Sequence, residues 1–257
     1  MFAGNLAFVV SAAVDVVVLC GAVVWGVRGG RPGVALAGAA GVLAAKGLVL
    51  LKLGLGVPFG VMHVAWLDLV VVVPLAGLVA LALRRGGRPL RAGALTACCL
   101  APVGVYASFV EPERLVLERA DVPLAPERAG ERALRIGVIE RSYWNGAARA
   151  TVAALERPRG RADVRLLLTH RPDAVKLLSG ALVDLTVAGH THGGQLQLPL
   201  VGPLTTASGV PRDVAAGGLH EIDGHRIYVS RGVGVERGQA PRLRMGAVPE
   251  VSLITLR

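Results

Sequence analysis

Three of the six histidines stand where a chain can do chemistry. His170 follows the apolar run Asp163–Leu168, and His190 and His192 follow the run Leu182–Ala188. Neutral imidazoles are good ligands for Zn, Fe, Mn or Ni. Two histidines one residue apart cannot share a helix face, but both can reach a metal from a tight loop. Gly189, Gly193 and Gly194 let the backbone bend there without a Cβ clash. His170, His190 and His192 are therefore the candidate metal ligands. His220 and His225 flank a separate hairpin signal and are expected at the surface.

The elements that must position these residues alternate in type. Leu134–Ile139 reads as a short buried strand, and Ala147–Leu155 has helix-forming composition. Asp163–Leu168 is a second strand, and Pro172 and Asp173 open a helix through about Leu178. Leu182–Ala188 is a third strand. This alternation argues for an α/β domain with its reactive residues at strand ends. Further on, Leu219–Ile222 and Arg226–Ser230 flank Asp223-Gly224, a hairpin signal, and Val248–Leu256 is a final strand.

The first 109 residues are built differently. A bilayer core needs about 20 apolar residues as helix, and stretches near 5–27, 33–55, 58–83 and 92–110 meet that requirement. The expected architecture is thus an N-terminal four-helix transmembrane region, residues 1–110, followed by an α/β domain. Residues 111–133, rich in Pro, Glu and Arg, read as a linker, and residues 134–257 form the second domain. No positive region precedes the first stretch, so it does not read as a cleavable signal. Arg28 and Arg31 follow the first span, and Arg84, Arg85, Arg88 and Arg91 precede the last. Positive loops stay cytoplasmic, which places the C-terminal domain outside the cytoplasm. Asp15, Lys46 and Asp68 fall near the middle of their spans. A lone charge there costs at least ~2.5 kcal/mol, so Lys46 is expected to bridge the two carboxylates.

The chain has 28 Lys/Arg against 18 Asp/Glu. Only eight of the former and two of the latter fall in residues 1–109, so the second half is only mildly basic. Without clustered Lys/Arg interleaved with aromatics, a nucleic-acid partner is not expected. Cys20, Cys98 and Cys99 all lie in apolar runs, which leaves the second half without a disulfide framework.

Thr169-His170-Arg171-Pro172-Asp173, followed by Ala188-Gly189-His190-Thr191-His192-Gly193-Gly194-Gln195, resembles the last motifs of calcineurin-like metallophosphoesterases. The run Tyr228–Gly234 and the ending Val248-Pro249-Glu250-Val251 resemble the bacterial membrane-associated branch of that family. The resemblance implies an α/β/β/α sandwich and a two-metal centre of Mn, Fe or Zn. In it His170 and His190 would bind one ion and His192 the other. It also implies hydrolysis of a phosphoester by metal-activated water.

The family pattern further requires an Asp-x-His or Asp-x-Gln after the first strand, a Gly-Asp with a bridging Asp, and a Gly-Asn-His loop. None of these is present. Glu140-Arg141-Ser142-Tyr143-Trp144 follows Ile139 instead and resembles a later segment, as though about 100 residues of an ordinary domain were missing between them. Glu140 is a carboxylate that could stand in for the absent Asp. Without a bridging carboxylate two cations repel, so one divalent ion rather than two is expected, in a truncated sandwich with impaired turnover. A lipid-linked phosphoester at a bacterial inner or plasma membrane is the substrate class this setting suggests. The alternative is a non-catalytic membrane protein whose degenerate domain binds a partner or an envelope component.

Overall fold

A computed structural model describes residues 2–52, 58–83, 87–124, 134–139, 153, 164–178, 183–236 and 240–257. The segment Glu140–Trp144 lies outside the described residues, as does the helix expected over 147–155 apart from Ala153. The chain divides into two compact units, Met1–Phe109 with Glu236–Arg242 and Val110–Val235 with Leu243–Arg257.

The first unit is helical. Helices α1 (Phe2–Arg28) and α2 (Pro32–Lys52) are followed by α3 (Pro58–Leu67), a π-helical turn (Asp68–Val72) and α4 (Val73–Ala82). Then come α5 (Arg88–Cys98), α6 (Leu100–Val105) and a second π-turn at Tyr106–Val110. Among the described residues three helices are long and apolar enough to cross a membrane: Val10–Arg28, Gly60–Ala82 and Arg88–Glu113. Pro32–Leu48 is a shorter apolar helix. The π-turn at Asp68 has a local cause. Pro74 carries no amide, and just before it Val73 N–H reaches back five residues to Asp68 O.

Small residues let these helices approach closely. Leu19, Val23, Ala39, Val72, Ala76, Ala80 and Ala94 form the shared core. At Gly77 a Cβ would stand 2.8 Å from the Ala94 carbonyl, so only glycine permits the α4–α5 contact. Lys46 Nζ donates to the Asp15 carboxylate and to Ser11 O at 3.3 Å. Asp68 lies close enough to Asp15 and Lys46 to feel both charges. The expected ion pair therefore exists between Lys46 and Asp15, with Asp68 beside it.

The second unit is built on a five-stranded sheet of order β2-β3-β4-β8-β7. Its strands are β2 (Leu134–Ile139), β3 (Val164–Thr169), β4 (Leu185–Ala188), β7 (Gly218–Ile222) and β8 (His225–Val229). The first four in that order run parallel, and β7 returns antiparallel to β8. Asp223 and Gly224, both with positive φ (50° and 79°), close the β7–β8 hairpin. A short ribbon, β5 (Gln197–Leu198) and β6 (Gly202–Pro203), lies apart from the sheet.

Side chains of the parallel strands alternate between two apolar layers. Ala188, Ile227 and Val229 pack with Val175, Val214 and Ala215 from the short helical segments and with Val210 from the bend before Arg212. Leu185 and Tyr228 face Val122 and, beside it, Ile254 and Leu256. Those last residues belong to a second sheet, β1 (Val116–Val122) paired in parallel with β9 (Glu250–Leu256). Residues 116–122 thus form a strand inside the stretch that reads as linker. Its inward positions, Ala120 and Val122, are what bury it. The helix expected from Pro172 is a 3-10 segment, Pro172–Leu177.

Lys46→Met is expected to destabilise the first unit, because Asp15 is only 1% exposed and would keep a buried charge without its partner. The loss should be about 3 kcal/mol, read as a lower thermal midpoint of the detergent-solubilised chain. An unchanged midpoint would contradict the clamp.

Candidate metal centre

Strand register brings the first two candidate ligands together. Thr169 of β3 is the partner of Ala188 of β4, so both strands end level at one edge of the sheet. The next residues leave side by side, with Gly189 N–H donating to His170 O at 3.3 Å. The rings of His170 and His190 end with centroids 4.7 Å apart, tilted by 58°. His170 is exposed and His190 half-buried.

The loop after β3 is clamped from behind. Asp173 accepts from Gly209 N–H at 2.7 Å, from the Ser208 hydroxyl at 2.8 Å and from Arg171 Nε at 3.4 Å. Burial pushes the Asp173 carboxyl up, but these three donors outweigh it and hold it below its ordinary range. Arg171 also donates to Ala207 O at 2.9 Å, and Lys176 to Gly209 O at 2.7 Å.

The loop after β4 is strained and over-determined. His190 (φ 71°), His192 (φ 49°) and Gln195 (φ 57°) all occupy the left-handed region, which costs about 1–3 kcal/mol per residue. Gly194 N–H donates to Thr191 O at 2.7 Å, and Gln197 Nε2 donates to Gly193 O at 2.8 Å and Ala216 O at 3.1 Å. Backbone bonds from Met245 N to Gln195 O and from Gln197 N to Met245 O, each 2.8 Å, close the loop on its other side. At Gly194 a Cβ would lie 2.5 Å from Pro203 Cβ and 2.6 Å from Thr205 O. The Gly-His-Thr-His-Gly-Gly-Gln stretch is a backbone device as much as a set of ligands.

His192 has a different neighbour. Its Nδ1 lies 3.5 Å from Nη2 of Arg244, a residue with no exposed surface. Arg244 donates to the carbonyls of Gly234 (2.9 Å), Ala247 (2.8 Å), Arg231 (2.8 Å) and Gly232 (3.1 Å). Burial and the Arg231 charge lower its pKa to about 10, with Glu250 and Glu111 acting in the opposite direction. It therefore stays a cation at neutral pH. Arg231 in turn bridges Glu118 at 2.5 Å and Glu250 at 2.6 Å, and Tyr228 donates to Glu250 at 3.1 Å.

Two imidazoles that share one ion, at about 2.1 Å per bond, bring their rings to roughly the separation seen for His170 and His190. Those two residues fit one divalent cation. A two-cation centre does not fit the described residues. No group of three or more His, Cys, Asp or Glu converges among them, and a cation on His192 would meet the fixed positive charge of Arg244. Glu140 lies outside the described residues. His225 corrects the sequence expectation of a surface residue: it is only 5% exposed, on β8, whereas His220 is half-buried with Nε2 3.0 Å from Gly217 O.

Arg244, Arg231 and Glu118 are the supporting residues that sequence reasoning missed. Arg231 sits inside a recognised run, and that was its one signal. Arg244, in a Pro- and Arg-rich tail, had none.

Two histidines thus leave adjacent parallel strands at one edge of the sheet, and part of the chain is similar to known proteins. Over 92 residues, 36% of this chain, it is 41% identical to the metallophosphoesterase YkuE of Bacillus subtilis, covering 30% of that protein. It is also 41% identical over 92 residues to the phosphodiesterase YaeI of Escherichia coli, covering 32% of it. The metallophosphoesterase Cj0846 of Campylobacter jejuni is 32% identical over 93 residues, covering 22% of it. These relatives support assignment to the metallophosphoesterase family. The match spans about a third or less of the length of each relative. No family model and no solved structure matches the chain.

Asp173→Asn should lower stability at neutral pH by about 1 kcal/mol. Because the folded carboxyl lies below its unfolded value near 3.9, its contribution is present above that pH and fades as pH falls further. The gap between variant and parent should therefore close below about pH 4. Denaturation midpoints across pH 3 to 7 check this, and a pH-independent gap would contradict it.

Proposed function

We propose that the chain is a membrane-anchored protein of the phosphoesterase family that holds one divalent cation, Mn, Fe or Zn, on His170 and His190. The observation that carries this reading is the 4.7 Å approach of the two rings at the ends of adjacent parallel strands. Bound there, such an ion supplies Lewis acidity toward phosphate oxygens and a source of hydroxide near neutral pH.

The chain's own residues prepare that role. Asp173 and Arg171 fix the loop that presents His170, and the strained backbone at His190 aims its ring at the same point. Arg244 holds His192 and the 231–234 loop in place behind the site. His192 belongs to this support rather than to a second ion. Turnover is slow in this account, since the described residues supply no carboxylate to position a second cation or a nucleophilic water.

Residues 1–110 act as the membrane domain and residues 134–257, with β1 added, as a partial phosphoesterase domain. The apolar helices support an integral position in a bacterial inner or plasma membrane. The Arg-rich loops support a domain outside the cytoplasm. A phosphoester carried on a lipid or in the envelope is the substrate class such a tether would reach.

Metal analysis of the purified full chain in detergent tests this reading. About one Mn or Zn should bind per chain. His190→Ala should weaken it by at least about tenfold, the scale on which even outer-shell partners act. Slow hydrolysis of a bis-aryl phosphate should follow the bound metal. A chain that binds neither ion, or a His190→Ala variant with unchanged metal, would contradict it.

A further inference from the structure

We infer that the outer face of the β1/β9 ribbon, at the end where both strands begin, docks on the lipid headgroup surface. The inference rests on the membrane reading of the N-terminal helices. Leu115, Leu117, Val251 and Leu253 are 58%, 55%, 49% and 46% exposed. They are not scattered, because register places Leu117 beside Val251 and Arg119 beside Leu253 on one face. Farther along the same face stand Asp121 beside Thr255, and Arg257, which pairs with Asp121 at 3.1 Å. The face thus grades from apolar at the start of the strands to charged at their ends.

Chain continuity says which end meets the bilayer. The apolar helix Arg88–Glu113 stops three residues before β1. Arg114 N–H donates to Glu111 O at 3.0 Å, Leu115 N–H to Glu113 O at 3.1 Å, and Val116 N–H to Pro249 O at 2.9 Å. Even fully extended, four residues reach about 14 Å, so Leu117 stays within that distance of the helix end. At 1.5 Å per residue the 26-residue helix is about 39 Å long. That exceeds the ~30 Å hydrocarbon core and ends in the headgroup layer. Leu115 and Leu117 are therefore tethered at the depth where exposed apolar side chains gain by leaving water. Arg119, exposed on the same face, is placed to meet anionic headgroups. An apolar strand start tethered by a few residues to the end of an apolar helix fits a lipid surface.

Site-directed spin labelling of the full chain tests this, with Cys20, Cys98 and Cys99 replaced by alanine. The protein is reconstituted into vesicles of phosphatidylethanolamine and phosphatidylglycerol. Labels go on Leu117→Cys, Val251→Cys and Thr255→Cys, with Leu78→Cys marking a spanning helix. Labels at 117 and 251 should collide several-fold more often with oxygen than with a water-soluble nickel chelate, and the label at 255 should show the reverse. If 117 and 251 meet the chelate as freely as 255 while 78 stays in lipid, the docking is overturned and the membrane reading survives. If 78 also meets the chelate, both fall. Dipolar broadening between copies, with low access to both reagents at 117 and 251, would put a second chain on this face and overturn the lipid assignment.

Discussion

The register of β3 on β4 is the constraint from which the candidate centre follows. Parallel neighbours cannot be joined by a hairpin, so their carboxyl ends emerge at the same edge and their loops crowd one another. With Thr169 level with Ala188, His170 and the Gly189-His190 turn have almost nowhere to go but together. A slip of one residue would reverse the faces of Leu185 and Ala188, which are buried in different layers, so packing on both sides of the sheet locks the register. The left-handed backbone at His190 and His192 is tolerated because the loop is tied down at Gln195, Gln197 and Met245.

Buried charge is handled by the same logic in both units. Asp15 meets Lys46 between helices, and Arg231 meets Glu118 and Glu250 between the sheet and the ribbon. Among the described residues Arg244 is instead satisfied by backbone carbonyls, with Glu250 and Glu111 near enough to act on its charge. Such an arrangement suits a loop that must be rigid. In the reading proposed above it does not suit a second cation on His192.

Much of this was legible in the sequence. The parallel strands show as short apolar runs because both of their faces are covered, and Asp223-Gly224 marks its hairpin because both residues adopt positive φ. The apolar helices show by length and composition, three of them long enough to cross a membrane among the described residues where four were expected. Strand β1 was hidden because Val116–Val122 carries Glu118, Arg119 and Asp121. Its alternation is half charged, and it becomes a strand only because Ala120 and Val122 find a face to bury and Glu118 finds Arg231. His225 was read from its place beside a turn, whereas β8 is a central strand buried on both sides. Arg244 looks like surface charge until the carbonyls of 231–234 and 247 are seen converging on it.

Pulsed electron paramagnetic resonance of the full chain loaded with Mn(II) tests the central claim most directly, since it counts the imidazole nitrogens coupled to the ion. The account predicts an isolated Mn(II) coupled to two imidazoles, one of them lost in each of His170→Ala and His190→Ala, and neither lost in His192→Ala. A spin-coupled pair of ions, or an imidazole signal that disappears with His192, would contradict it.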